Sequence, residues 1–171
     1  MGEGTFEIER RYLVRVREGL WGDLHTGCEL RQGYVLTGSR TSVRIRLGEP
    51  RGPVLTCKWG SGVRRREEET VVPEGVAAAL LRASGSRVIE KRRHRLGRWE
   101  LDRFQGALEG LVLLEIELER EDEPIPAAPP GVEIIREITD DNTFTGSALA
   151  RMSSTARRRL MDRVREETAR T

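Results

Sequence analysis

A mainly β fold is predicted: an antiparallel meander of about eight strands that can close into a barrel, with helices packed outside it. Three observations predict it. Short segments in which apolar and charged residues alternate recur along the chain. Turns containing Gly, Pro or Ser separate them at short intervals. Only two stretches, 73–84 and 147–167, carry clear helical character, from helix formers in one and apolar spacing in the other.

The first strand runs over 6–17 and opens with FEIERRYLV. Glu7 and Glu9 are two apart, so both point to one side of it. Like charges so close repel unless something positive sits between them, and a metal ion or arginines could serve. Residues 18–28 have weak helical character and fit a short helix or a loop. ELRQGYVL (29–36) reads as a strand closed by the turn TGSR. TSVRIRL (41–47) puts Val43, Ile45 and Leu47 on one face and Arg44 and Arg46 on the other. GEPRGP is a turn, VLTCKWG (54–60) a strand, Ser61–Gly62 a turn, and VRRREEETVV (63–72) a highly charged strand.

Pro73 then opens a helix of good helix formers, which Gly85 stops. RVIEKRRHRL (87–96), RWELDRF (98–104) and LVLLEIELER (111–120) are further strands, with turns near Gly97 and Gly106. DEPIPAAPPG (122–131) is a proline-rich loop and VEIIREIT (132–139) a short strand. From about Ser147 one helix should run to Glu167, with an apolar stripe of Leu149, Met152, Ala156, Leu160 and Val164.

A chain of 171 residues, 37% hydrophobic and 34% charged, suffices for one domain with a core, and its charges must be organised on faces. Residues 151–171 are read as the continuation of the C-terminal basic helix within that domain. No stretch is apolar enough for a membrane span. The acidic beginning lacks a signal-peptide profile and Phe6 stands where a myristoylation site wants Ser or Thr, so the cytoplasm is the expected location. Cys28 and Cys57 are far apart and are expected to be free, buried thiols. His25 and His94 are isolated, which argues against a Cys/His zinc site and a Ser-His-Asp triad; a P-loop motif is absent.

The net charge of +2 is unevenly spread: residues 147–171 carry +4 and the rest −2. The basicity belongs to the tail, which argues against nucleic acid as a partner of the main body. The tail itself reads as the wet side of a packed helix, with nucleic-acid or membrane binding as the rival, and it could extend toward a second subunit in a homodimer. Of the 30 basic residues all but Lys58 and Lys91 are Arg, which singles out two places where a compact ammonium is wanted.

Several strands segregate charge by sign. Glu115, Glu117 and Glu119 share one face; Lys91, Arg93 and Arg95 share another; Glu67 and Glu69 lie beside Arg65; Asp102 aligns with Glu100. One reading is a half-buried sheet with a wet outer face. The other turns the charged faces inward, so that the barrel encloses a polar tunnel and helices cover the outward apolar faces. Guanidinium forks and ammonium groups bind phosphate oxygens, and clustered carboxylates hold Mg²⁺ or Mn²⁺. A polyanion with a divalent metal would neutralise both halves of such a tunnel.

In order along the chain, EIERR, LRQGYVL, SVRIRL, LTCKWG, RREEE, IEKRRHRL, WELDRF and LLEIELE resemble the motifs of the CYTH, or triphosphate tunnel metalloenzyme, superfamily, over about residues 5–150. The resemblance implies a closed antiparallel β-barrel tunnel and divalent-metal-dependent chemistry on triphosphates. It implies metal-binding roles for Glu7, Glu9, Asp102, Glu115 and Glu117, with Glu67 and Glu69 as supporting acids. Arg44, Arg46, Lys58, Lys91 and Arg93, joined by Arg65, would grip the phosphates. Tyr34 matches a tyrosine near the reacting phosphate, and Arg11 stands where the E-x-E-x-K signature has lysine. Asn142 and Phe144 replace a family Lys and Tyr, and EPIPAAPPG stands where relatives often carry a helix. The expected substrate is inorganic triphosphate, split to pyrophosphate and phosphate by in-line attack of water. Hydrolysis of ATP or RNA 5′-triphosphates, cyclisation of ATP, and a non-catalytic phosphate-binding module are the alternatives.

Overall fold

The computed structural model describes residues 5–24, 27–38, 40–60 and 64–170. The turn expected at 61–62, Ser39 and His25 lie outside the described residues. In chain order the elements are β1 (Thr5–Val16), α1 (Leu20–Asp23), β2 (Gly27–Thr37), β3 (Thr41–Leu47), β4 (Val54–Trp59), β5 (Arg64–Val71), α2 (Glu74–Ala83), β6 (Val88–Leu96), β7 (Trp99–Phe104), β8 (Val112–Leu118), β9 (Val132–Glu137), α3 (Gly146–Arg151) and α4 (Ser154–Ala169).

The strands form one antiparallel sheet in the order β5-β4-β3-β2-β6-β7-β8-β1-β9, and an additional β5–β1 pairing bends it into a ring. Eight strands make the ring and β9 is a ninth attached to β1. Strand β1 is the seam. One edge pairs with β8 from Ile8 to Leu13; the other is divided between β5, at Thr5–Ile8, and β9, at Tyr12–Val16. The closing ladder with β5 spans only those four residues of β1, so the ring is stitched rather than continuous at that point.

Strand periodicity then sorts every side chain inward or outward. Cross-strand register keeps the sorting consistent around the ring: Glu7 faces Arg65, Lys58 faces Glu67, Arg44 faces Thr56, Tyr34 faces Arg44, Arg93 faces Asp102 and Arg11 faces Glu115. The charged faces point inward. The outward faces of β1, β7 and β8 bury Ile8, Tyr12, Trp99, Leu101, Leu114 and Ile116, covered by Leu20 and Trp21 of α1 and by Ala128 of the proline-rich loop. That loop is pinned by a hydrogen bond from Trp99 Nε1 to the Ala127 carbonyl at 3.1 Å. Helix α2 lies outside β2 and β3, as expected, and buries Ala77. It approaches so closely that a Cβ at Gly33 would lie 2.6 Å from Ser84 Oγ.

The C-terminal segment behaves differently. It is two helices, because Met152 and Ser153 take extended backbone angles and the Ser153 side chain accepts from Ala156 N to start α4. The break resets the helical phase. Ala150 and Met161 are buried together with Leu149, Leu160 and Val164, while Ala156, expected in the stripe, is exposed. These helices pack against Leu13, Ile89, Phe104 and Leu113, which are inward positions of their strands, in one cluster with Phe144 and Ile138. They close one end of the ring instead of covering its outer face. Cys28 and Cys57 are free, but Cys28, at the start of β2, is exposed and Cys57 is half-buried.

Candidate functional site: a two-signed cavity

The ring encloses a cavity of about 530 Å³. Fourteen of the fifteen residues expected at the site line it: Glu7, Glu9, Arg11, Tyr34, Arg44, Arg46, Lys58, Arg65, Glu67, Glu69, Lys91, Arg93, Glu115 and Glu117. Asp102 does not. It is fully buried behind Lys91 and Arg93. Ile89, Phe104, Leu113 and Phe144 form an apolar end to the cavity, with Thr145, Gly146 and Ser147 beside them.

Each acid meets a base across the ladder. Lys58 Nζ lies 2.6 Å from Glu7 and 2.8 Å from Glu67. Arg65 Nη2 lies 3.2 Å from Glu9 and 3.6 Å from Glu7. Arg44 stands 3.9 Å from both Glu67 and Glu69. Glu69 also accepts from Arg46 at 3.2 Å and from Thr56 Oγ1 at 2.8 Å. Burial would raise the Glu69 pKa, but the Arg46 charge and the Thr56 hydroxyl outweigh it and lower it to about 2. Arg93 bridges three acids: it donates to Asp102 at 2.7 and 2.6 Å, to Glu115 at 2.8 Å, and to Glu100. Burial resists ionisation of Asp102, yet Arg93 and Lys91 hold it well below the usual carboxylate range.

The pKa values of the β8 acids move the other way, that of Glu115 despite its contact with Arg93. Burial, and then the charge of Glu9, raise Glu115; burial, and then Glu7, Glu9 and Glu100, raise Glu117. Glu9 and Glu117 are direct cross-strand partners, so the repulsion is built into the register. Among the described residues no group of three or more His, Cys, Asp or Glu stands in an arrangement that could hold a metal ion. The side chains are instead turned to their bases. The donor chemistry does fit a hard divalent cation: mutually repelling carboxylates on adjacent strands are what such an ion relieves.

Sequence reasoning missed Gln32. It is 1% exposed, on the wall between Tyr34 and Leu30, and its Nε2 is buried without a hydrogen-bond partner. The Nε atoms of Arg44 and Arg65 are in the same position. Buried donors without acceptors are costly, and an anion in the cavity would satisfy them. The signal was present in RQGYVL, where residue 32 shares a strand face with residue 34. The tryptophans lie outside the cavity: Trp99 packs edge-on against Tyr12 at 5.8 Å, Trp21 lies under Arg103, and Trp59 is 36% exposed.

Fold and site together define a ring-shaped β receptacle for a small polyanion, with most of its cations on β3–β6 and its carboxylates on β1, β5, β7 and β8. The chain belongs to the CYTH domain family, whose model matches residues 5–152. It is 34% identical over 150 residues, 85% of this chain and 93% of the relative, to a protein of Acetivibrio thermocellus named inorganic triphosphatase. A protein of the same name from Nitrosomonas europaea is 34% identical over 151 residues, 84% of this chain and 96% of its own. A solved structure of an inorganic triphosphatase superposes with a TM-score of 0.55 at 33% identity, over 86% of this chain and 99% of that one. Among the described residues no helix is long and apolar enough to cross a membrane.

Proposed function

We propose that this protein hydrolyses inorganic triphosphate to pyrophosphate and phosphate. The observation that carries the reading is the inward convergence of bases and acids from seven of the eight ring strands on one cavity of about 530 Å³. The names of the curated relatives support it.

In this reading Arg44, Arg46, Lys58, Arg65, Lys91 and Arg93 grip the phosphate oxygens through charge-assisted hydrogen bonds. Gln32 adds a neutral donor. Glu67 and Glu69 hold Lys58, Arg44 and Arg46 in place through their ion pairs with them. Glu7, Glu9, Glu115 and Glu117 would hold a divalent cation, Mg²⁺ or Mn²⁺, whose chemistry when bound is to polarise phosphoryl oxygens and acidify water. Asp102 serves that set from behind, by fixing Lys91 and Arg93. Water attacks the terminal phosphorus in line, the bond to the bridging oxygen breaks, and the guanidinium groups meet the charge that grows on the leaving pyrophosphate. Tyr34 places its hydroxyl at the closed end, beneath Gly146. The free Cys28 and Cys57 thiols suit a reducing cytoplasm.

The test is a panel of inorganic triphosphate, ATP and pyrophosphate, each with Mg²⁺ and Mn²⁺, with products separated by chromatography. Phosphate released from inorganic triphosphate with a higher kcat/KM than from ATP is expected. A preference for ATP would overturn the substrate, cyclic AMP would overturn the hydrolysis, and tight triphosphate binding without turnover would make the protein a binding module.

A further inference from the structure

We propose that Arg11 is a positioning residue whose guanidinium latches the segment closing the cavity, instead of contacting substrate phosphate; only its kinetic consequence rests on the triphosphatase reading. Arg11 is 6% exposed. Its Nη1 donates to the Phe144 carbonyl at 3.2 Å and its Nη2 to the Thr139 carbonyl at 3.0 Å. Its own backbone is committed to the same segment: Arg11 N donates to Thr139 Oγ1 at 3.1 Å, and Ile138 N donates to Arg11 O at 2.8 Å.

Strand β9 ends at Glu137, so the chain beyond it leaves the sheet. The Thr139 and Phe144 carbonyls then have no strand to accept from, and buried carbonyls need a donor. A planar guanidinium can reach two carbonyls at once; an ammonium is a single point. The latched segment delivers Thr145, Gly146 and Ser147 to the cavity wall and starts α3, with Thr145 Oγ1 accepting from Ala148 N at 3.2 Å. Gly146 arrives so close to Tyr34 that a Cβ there would lie 2.0 Å from the tyrosine hydroxyl. The latch therefore sets the spacing between Tyr34 and the closed end. The remaining nitrogen of the fork, Nε, lies 3.7 Å from Glu9, so the same side chain also steadies one of the paired acids. Among the described residues no hydrogen bond joins Arg11 to Tyr34; its fork is spent on the two carbonyls.

The experiment compares Arg11→Lys and Arg11→Met with the unsubstituted protein by amide hydrogen exchange, without substrate, and then by kinetics on inorganic triphosphate. In both variants amides within 138–149 should exchange roughly tenfold faster or more, with the β6–β7 hairpin unchanged. The kcat should fall about tenfold or more while KM moves less than about threefold, because spacing is lost and phosphate contacts are kept. Unchanged exchange at 138–149, or a rise confined to KM, overturns the proposal, as does full retention of both properties by Arg11→Lys. Should either variant fail to fold, the unsubstituted protein decides: the Arg11 Nη–H resonances stay in place on adding pyrophosphate if Arg11 is a latch, and shift if it binds phosphate. Exchange without substrate is read independently of turnover, so a failed latch leaves the triphosphatase reading standing.

Discussion

Asp102 shows how a buried charge can matter without facing the site. It is fully buried, and both Lys91 and Arg93 rely on it as counter-ion. Breaking a buried pair by removing one partner leaves uncompensated charge, which costs about 3–5 kcal/mol. Asp102→Asn is therefore expected to lower the unfolding free energy by an amount in that range, read in urea unfolding as a lower midpoint with an unchanged slope. Glu117 stands at the opposite pole. Burial, Glu7, Glu9 and Glu100 all disfavour its ionised form. Glu117→Gln should raise the melting temperature of the metal-free protein while abolishing most turnover and the thermal shift produced by added Mg²⁺ or Mn²⁺. A melting temperature that falls instead would show that Glu117 is already compensated.

At the level of elements, the close of the ring depends on where helices start. Met152 closes α3, and Ser153 caps the start of α4, accepting from Ala156 N at 3.2 Å. Its replacement by alanine should cost about 1 kcal/mol of unfolding free energy. Gly146 is a tighter constraint, since a Cβ there collides with the Tyr34 hydroxyl at 2.0 Å. Gly146→Ala must push α3 away from β2, and its kcat on inorganic triphosphate is expected to drop far more than its melting temperature changes. A combined Gly146→Ala, Tyr34→Phe protein should recover part of the stability, because the colliding oxygen is gone. No recovery would mean that the helix is held off by something else.

For the whole molecule, Glu69 and Asp102 are acids held ionised by neighbouring cations, Arg46 and Arg44 for the first and Arg93 and Lys91 for the second, and these two groups shape its acid behaviour. Glu69 has a folded pKa of about 2, and Asp102 also lies below its ordinary range. Unfolded carboxylates take up protons near pH 4. The stabilisation from these two groups is complete above that value and is lost as the pH falls from about 4 toward their folded pKa values. Urea midpoints should decline through that window, and the Glu69→Gln protein should show a shallower decline. Equal slopes in both proteins would remove Glu69 from the network.

Much of the ring was legible in the sequence because a strand announces its two faces by parity alone. Glu7 and Glu9, or Lys91 and Arg93, share a side whatever lies around them. The ordered motifs then assigned the charged sides to the interior. The break at Met152–Ser153 was less legible, since a capping serine and an ordinary surface serine look alike until the backbone is seen. The sequence determined the strands, their charged faces and the list of side chains that could meet, because those follow from local periodicity. Only the tertiary structure decided which inward residues reach the cavity, that Asp102 retreats behind Lys91 and Arg93, and that α3 and α4 close one end. These depend on register and on contacts between residues distant in the chain, such as Arg11 with Thr139 and Phe144, which no local pattern encodes.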